Sequence, residues 1–398
     1  MIALFLSPIY LLVNGYIVHR LYGFLEGCHP KFNLKIIKGI IAFIYILPAI
    51  SPVLAVLMPH GTVSKRFFQF LCNYWFAVII YTAIIVFIGH LISLFFRRVI
   101  KVLPRDYFQK RSRKVFYGVI TLLIIFGITS YGIYNAHNIK EKDYSITVNK
   151  TVEGTDSLKV VLLADLHLGY SIGVNHIEEM VDLVNQQNPD IVCIAGDIFD
   201  NDYDALDNPD RLAELFRSMK STYGTYACWG NHDVNERVLA GFTFGAEDEK
   251  KHDKRMVEFL EKSDIKLLED ETTLIDNKFY VTGRVDGEKP ATVDNERKSP
   301  QELLGTLDKS KPIIVLYHEP NELQELSDAG ADVVLSGHTH NGQIFPGTVL
   351  TKIMWENPCG YVQKGDMHSI VTSGVGIFGP FMRVGTDAEI CTVNVNFK

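Results

Sequence analysis

Acidic residues are nearly missing from the first third of this 398-residue chain. Residues 1–140 hold 15 of the 39 Lys and Arg but only two of the 46 acids, Glu26 and Asp106. The other 24 basic and 44 acidic residues follow, so the first part carries +13 and the second −20. A boundary near residue 140 is the simplest account, dividing the chain into 1–140 and 141–398. Cysteine is also scarce. Cys28, Cys72, Cys193, Cys228, Cys359 and Cys391 show no metal-knuckle spacing and no dense framework, which excludes a disulfide-stapled domain. Cys193 and Cys228 lie inside apolar runs and read as small core residues.

The acid-poor part is rich in apolar sequence. Four stretches, roughly 2–18, 38–59, 67–96 and 115–135, reach the ~17–25 residues that a membrane-spanning helix needs. Pro48 and Pro52 would break a soluble helix but are tolerated as a kink in a bundle. A cleaved signal peptide fits poorly, since no basic region leads the first stretch. The expectation is a four-helix transmembrane region. Arg20, Lys31, Lys35 and Lys38 follow the first stretch, and eight Lys and Arg between 97 and 114 follow the third. Only Lys65 and Arg66 follow the second. Twelve charges against two place the first and third connections in the cytoplasm, and residues 141–398 outside it. The basic third connection is read as lying on anionic headgroups of membrane lipids, and no nucleic-acid partner is expected.

From residue 158 onward, short Val, Ile and Leu-rich runs end abruptly in polar groups. They are "LKVVLLADLHLG", "DIVCIAGDIFD", "GTYACWGNHD", "PIIVLYHEP" and "ADVVLSGHTH". Such runs read as strands buried on both faces. Amphipathic stretches between them, over 174–188 and about 205–219, 248–262 and 300–307, predict an α/β domain. Functional groups in such sheets collect past the carboxyl ends of the strands. Those positions hold Asp165, His167, Asp197, Asp200, Asn231, His232, Asp233, His318, His338 and His340. Five of the chain's 13 histidines are among them. Imidazole and carboxylate together suit a borderline divalent metal such as Mn, Fe, Zn or Ni. "DLH" and "HTH" alternate, so in extended backbone both members of each pair face one side. A carboxylate is the natural bridge between two ions, and Asp197, after Gly196, is the expected one.

The ordered set "DLH…GD…GNHD…H…GHTH" resembles the calcineurin-like metallophosphoesterase superfamily over residues ~158–341. "DLHLGYSIG", "SGHTHNGQIFP" and "TSGVGIFGPFMRVG" resemble its membrane-anchored or exported bacterial branch. The resemblance implies a four-layer αββα sandwich holding two divalent ions. Asp165, His167, Asp197 and His340 would hold one ion; Asp197, Asn231, His318 and His338 would hold the other. It further implies that His232 faces the substrate and stabilises or protonates the leaving oxygen. Asp200 is the expected carboxylate partner of His232, and Asp233 the competing one. Asn341 replaces a glycine common in relatives, which bears on turn geometry and touches no ligand.

The function expected is hydrolysis of a phosphate ester, a diester rather than a monoester, by attack of a metal-bridging hydroxide. Manganese is one candidate ion. The alternative is a non-catalytic membrane receptor or scaffold built on the same fold, which has no chemical reason to keep His232 and every ligand. The loop 374–385 carries Ile377, Phe378, Phe381 and Met382 among glycines. Arg383 within it is the candidate substrate-binding residue. Were that apolar loop to face the bilayer, the substrate would be a lipid phosphate.

Overall fold

A computed structural model describes residues 2–100, 104, 107, 110–239, 242–244, 252–289 and 297–398. Lys101 and Arg105 of the basic connection, and residues 248–251 of one expected helix, lie outside the described residues. The chain forms two compact units. The first comprises Met1–Tyr134, Val238–Phe244 and Gly379–Met382; the second comprises Asn135–Arg237, Gly245–Phe378 and Arg383–Lys398.

The first unit is built on helices α1 (Ile2–Cys28), α2 (Lys35–Leu57), α3 (Val63–Arg98) and α4 (Arg111–His137). Among the described residues α2, α3 and α4 are long and apolar enough to cross a membrane. Helices α1, α3 and α4 run beyond their apolar stretches, and α2 starts before its own. Arg20, Lys35 and Lys38, counted above as connection charges, therefore sit inside α1 and α2. Pro52 has no N–H to offer the Pro48 carbonyl, and the Ser51 hydroxyl donates to that carbonyl at 2.7 Å instead. The helices are joined by polar contacts as well as packing. Trp75 Nε1 donates to the Tyr10 hydroxyl at 2.7 Å, and Tyr10 in turn donates to the Ala49 carbonyl at 2.6 Å. Arg111, opening α4, donates to the last carbonyls of α1, Gly27 at 2.8 Å and Cys28 at 3.1 Å. Within the same unit the Phe381 ring stacks on Tyr74 of α3, with centroids 5.0 Å apart.

The strands are β1 (Ile139–Val148), β2 (Ser157–Leu163), β3 (Ile191–Ala195), β4 (Thr225–Cys228), β5 (Arg237–Leu239), β6 (Phe242–Phe244), β7 (Ile265–Leu267), β8 (Glu271–Ile275), β9 (Phe279–Gly283), β10 (Ile313–Leu316), β11 (Val333–Ser336), β12 (Gly360–Lys364), β13 (Met367–Val371) and β14 (Ala388–Phe397). Helices α5 (Val174–Gln187), α6 (Pro209–Arg217), α7 (Lys254–Lys262), α8 (Pro300–Leu304), α9 (Leu323–Asp328) and α10 (Gly347–Met354) lie between them. One six-stranded sheet has the order β1-β14-β2-β3-β4-β7, a second the order β12-β13-β11-β10-β9-β8, and β5 pairs with β6. Strands β2, β3, β4 and β7 run parallel, as do β9, β10, β11 and β13; β14 joins β2 antiparallel.

Both six-stranded sheets contribute to one core. Val160 and Leu162 of β2, Cys193 of β3 and Cys228 of β4 share it with Ile314 and Leu316 of β10 and Val333 and Leu335 of β11. Each fully buried aliphatic side chain here is worth roughly 1.5–3 kcal/mol over exposure. Helices α8 and α9 bury Leu303, Leu304, Leu323 and Leu326 against Ile313, Val315 and Val334 on the second sheet. Two of the expected helices are shorter than their amphipathic stretches. Asn208 caps α6 by accepting the Arg211 N–H, with Pro209 as its first residue, so the helix starts at 209. Helix α8 opens with a Ser299–Glu302 capping box and closes at Gly305.

Candidate metal centre

Parallel pairing of β2, β3 and β4 brings three loops side by side, and parallel β10 and β11 bring two more. Asp165 and His167 follow β2, Asp197 follows β3, Asn231 and His232 follow β4, His318 follows β10, and His338 and His340 follow β11. The loops are laced by backbone bonds. The Asp165 N–H donates to the Gly196 carbonyl at 3.0 Å, and the Gly337 N–H to the His318 carbonyl at 3.0 Å. The backbone at these positions is not extended, which corrects the alternation argument. Asp165 (φ 52°), His167 (47°), Asp197 (51°), His338 (72°) and His340 (48°) all adopt the left-handed region. Such residues cost about 1–3 kcal/mol each and persist where surrounding contacts over-determine them.

Two adjoining groups of donor atoms result. In the first, Asp165, His167 and His340 present ligand atoms that all lie within 4.8 Å of one another. His167 Nε2 and His340 Nε2 are 3.0 Å apart, and His340 Nε2 is 3.5 Å from Asp165 Oδ1. In the second, His318 Nε2 is 3.1 Å from Asp197 Oδ2 and 3.2 Å from Asn231 Oδ1. His338 Nδ1 lies 3.1 Å from the same Asn231 oxygen. Asp197 Oδ2 is also 3.7 Å from His167 Nε2, so this one carboxylate stands between the groups. All seven residues expected to hold metal are thus brought together.

Electrostatics follow from burial and crowding. Burial pushes the Asp165 carboxyl up to about 6, and the Asp197 charge adds to that push. Burial acts the same way on Asp197, but His318 and His232 beside it win and hold it well below the ordinary carboxylate range. Burial lowers His338 to about 3, and it takes His340 well below the ordinary imidazole range, with His167 adding to the effect. The second group also has acidic neighbours that the sequence reading missed. Glu288 and Glu319 approach His338, and burial with the Asp286 charge raises Glu319 to about 7.

His232 has a different partner from either one expected. Its Nδ1 meets the Asn201 side-chain oxygen in a short hydrogen bond, while Asp200 Oδ1 stands off at 3.9 Å. Asp200 instead approaches His167 Nδ1 at 3.5 Å. Asp233 turns inward, accepting the Gly230 N–H at 2.7 Å and the Phe199 N–H at 2.8 Å. The reason is positional. Asn201 is fully buried and its Nδ2 donates to the Val234 carbonyl, which leaves its oxygen as acceptor. No pattern in the strand-end runs marked Asn201; its only signal was adjacency to Asp200.

Arg383, expected to grip a phosphate, has no exposed surface. Its Nη2 donates to the carbonyls of Ser373 at 2.8 Å, Gly374 at 3.1 Å and Gly376 at 2.7 Å, and lies 3.3 Å from His340 Nδ1. A guanidinium enclosed in this way braces the 373–376 turn and cannot reach a substrate. The apolar loop is likewise mostly packed, with Val375, Ile377, Phe381 and Met382 buried. Phe378 is half-buried, its ring 4.9 Å from His232 and 5.7 Å from His167. Gln343 clamps it at both backbone groups, accepting its N–H at 2.9 Å and donating to its carbonyl at 2.8 Å.

The donor set fits divalent cations. Two imidazole nitrogens facing at 3.0 Å and a buried carboxylate raised toward neutrality both gain from a positive charge between them. His167 Nδ1 and Asp200 Oδ1 are buried without a well-formed hydrogen bond, yet 3.5 Å apart. That is the setting in which a ligating histidine gives its second N–H to a carboxylate.

A family profile described as calcineurin-like phosphoesterase matches residues 158–342. A Danio rerio protein named transmembrane protein with metallophosphoesterase domain is 32% identical over 280 residues, covering 69% of this chain and 62% of its own length. An uncharacterized metallophosphoesterase of Campylobacter jejuni is 32% identical over 248 residues, covering 61% of this chain and 60% of its own. One of Aquifex aeolicus is 26% identical over 271 residues, 68% of this chain and 96% of its own. The chain spans about three fifths of the length of the first two relatives.

Proposed function

We propose that residues 158–342, which match the calcineurin-like phosphoesterase profile, form the catalytic domain of a membrane-anchored, binuclear, metal-dependent phosphodiesterase. The observation that carries this reading is the pair of adjoining donor groups meeting at Asp197. Asp165, His167, Asp197 and His340 hold the first ion. Asp197, Asn231, His318 and His338 hold the second. Bound there, two divalent cations supply Lewis acidity toward phosphoryl oxygens and make a water nucleophilic near neutral pH.

The chain's own residues do the rest. The Asn201 side-chain oxygen accepts the His232 Nδ1–H, which leaves Nε2 as the nitrogen that passes a proton to the leaving oxygen. Burial lowers His232 to about 4, with Asp197 opposing, so the resting ring is neutral. Negative charge on the phosphate opposite draws a proton from solvent onto Nε2, and that proton is the one passed on. Asp200 orients His167. Phe378, clamped by Gln343, walls the site beside His232 and keeps water from the leaving group.

The catalytic unit is an αββα sandwich of four layers that follows four spans, α1 included, and lies outside the cytoplasm. The lopsided distribution of Lys and Arg supports that orientation. The complete ligand set argues against a non-catalytic scaffold. The test uses the purified full chain: metal content by elemental analysis, with turnover of an aryl phosphodiester, an aryl monoester and a phospholipid. About two ions per chain and a preference for the diester are expected. A chain that holds two ions yet turns over no ester would favour the scaffold.

A further inference from the structure

We propose that α10 is a membrane-docking helix that lies on the lipid bilayer and brings the metal centre to amphiphilic phosphate esters carried there. The substrate part of this inference rests on the phosphoesterase reading above; the docking part does not.

Helix α10 is amphipathic the wrong way round for a protein surface in water. Val349, Leu350, Ile353 and Met354, spaced i, i+1, i+4 and i+5, share one face and are 49, 59, 78 and 74% exposed. Phe345, just before the helix, is 52% exposed. The opposite face carries the buried Thr348, the partly buried Thr351 and the closing Trp355. A helix packed on a core buries its apolar stripe and shows its polar one. Here an apolar arc faces outward while threonines face in, the pattern of an interfacial helix.

Charge selects the occupant. No acid occurs between Asp332 and Glu356, in a part of the chain that carries −20 overall. Lys352, exposed, flanks the apolar arc. An acid-free apolar face edged by one lysine complements phospholipid headgroups and acyl chains. The unit that carries α10 is also tethered to the apolar helices by a short connection, since only Asn138 separates α4 from β1.

The helix is tied to the chemistry at both ends. At its close, the Trp355 ring lies edge-on to His338, with centroids 5.1 Å apart. At its start, four residues separate α10 from the "HTHNG" turn that carries His338 and His340. Gly342 ends that turn, and the Gly347 N–H that opens α10 donates to the Ile344 carbonyl at 2.7 Å. A bilayer on the outer face of α10 would therefore lie one helix away from the second donor group.

The test uses the full chain, with the partly exposed Cys28 and Cys359 replaced by serine, in nanodiscs of phosphatidylcholine and phosphatidylglycerol. Spin labels are placed singly at Leu350→Cys, Ile353→Cys and Lys352→Cys, and relaxation by oxygen is compared with relaxation by a water-soluble nickel chelate. Labels at 350 and 353 are expected to favour oxygen and the label at 352 the chelate. Equal access of the chelate to all three overturns docking, and so does dipolar coupling between 353 labels on two copies, which would make α10 a dimer face. This readout needs no turnover, so it stands apart from the phosphoesterase reading. In vesicles, Leu350→Glu with Ile353→Glu is expected to cut cleavage of a long-chain phospholipid, relative to a soluble short-chain diester, about ten-fold. An unchanged ratio overturns the delivery of substrate from the bilayer.

Discussion

Asn201 and His232 bind each other twice. The Asn201 side-chain oxygen meets His232 Nδ1, and the Asn201 N–H donates to the His232 carbonyl at 3.0 Å. Asn201 thus fixes both the ring and the backbone of the residue proposed to protonate the leaving group. Asn201→Ala should lower kcat about 10²-fold and leave metal content unchanged, since it takes away orientation and no ligand. Steady-state kinetics beside elemental analysis checks this; loss of metal would assign Asn201 to the ligand frame instead.

Asn201→Asp gives a pH prediction with a definite sign. A carboxylate at this distance favours the imidazolium, so the pKa of His232 rises from its lowered value, by about 1–3 units. The limb of the rate profile that falls as His232 deprotonates should move to higher pH by that amount. A profile that does not move would show that His232 is not the titrating acid.

Asp197→Ala should empty both sites. Its Oδ2 stands 3.1 Å from His318 and 3.7 Å from His167, so one carboxylate serves both groups. Metal content and turnover should fall together, and added Mn or Zn should not restore turnover. A chelated wild-type chain should recover on metal addition, which separates ligand loss from unfolding.

Gly196→Ala tests the backbone strain. Gly196 has φ +80°, and a Cβ there would stand 2.7 Å from His318 Nδ1. The left-handed conformation itself costs about 1–2 kcal/mol for a residue with a side chain. The larger expected effect is displacement of His318, seen as weaker binding of the second ion in a metal titration.

Arg383→Met should destabilise the fold while leaving substrate selectivity alone. The Ser373 and Gly376 carbonyls lose the Arg383 donor in a fully enclosed place, while Gly374 keeps the Glu389 N–H, at about 1–3 kcal/mol for each group left unsatisfied. A lower midpoint of thermal inactivation with an unaltered KM is expected. A raised KM with unchanged stability would return Arg383 to the substrate.

Much of this protein can be read in order along the chain. The acid-poor first part and its apolar stretches mark α1 to α4, and the five runs ending in "DLH", "GD", "GNHD", "H" and "GHTH" mark β2, β3, β4, β10 and β11 with the seven expected donors past their ends. They can be read because burial on both faces demands continuous Val, Ile and Leu, and because strand ends are where polar groups can stand. The partners of those donors are set only in three dimensions. Asn201 rather than Asp200 or Asp233 meets His232, since Asp233 is held by two backbone N–H groups and Asp200 turns to His167. Arg383 looked free in a glycine-rich loop, but the loop closes over it. Helix α10 was not among the expected helices, and its outward face is set only in three dimensions, because an amphipathic pattern reports that a helix has two faces and not which of them meets the core. Local sequence determines which groups stand at each strand end; packing from distant segments decides which of them touch.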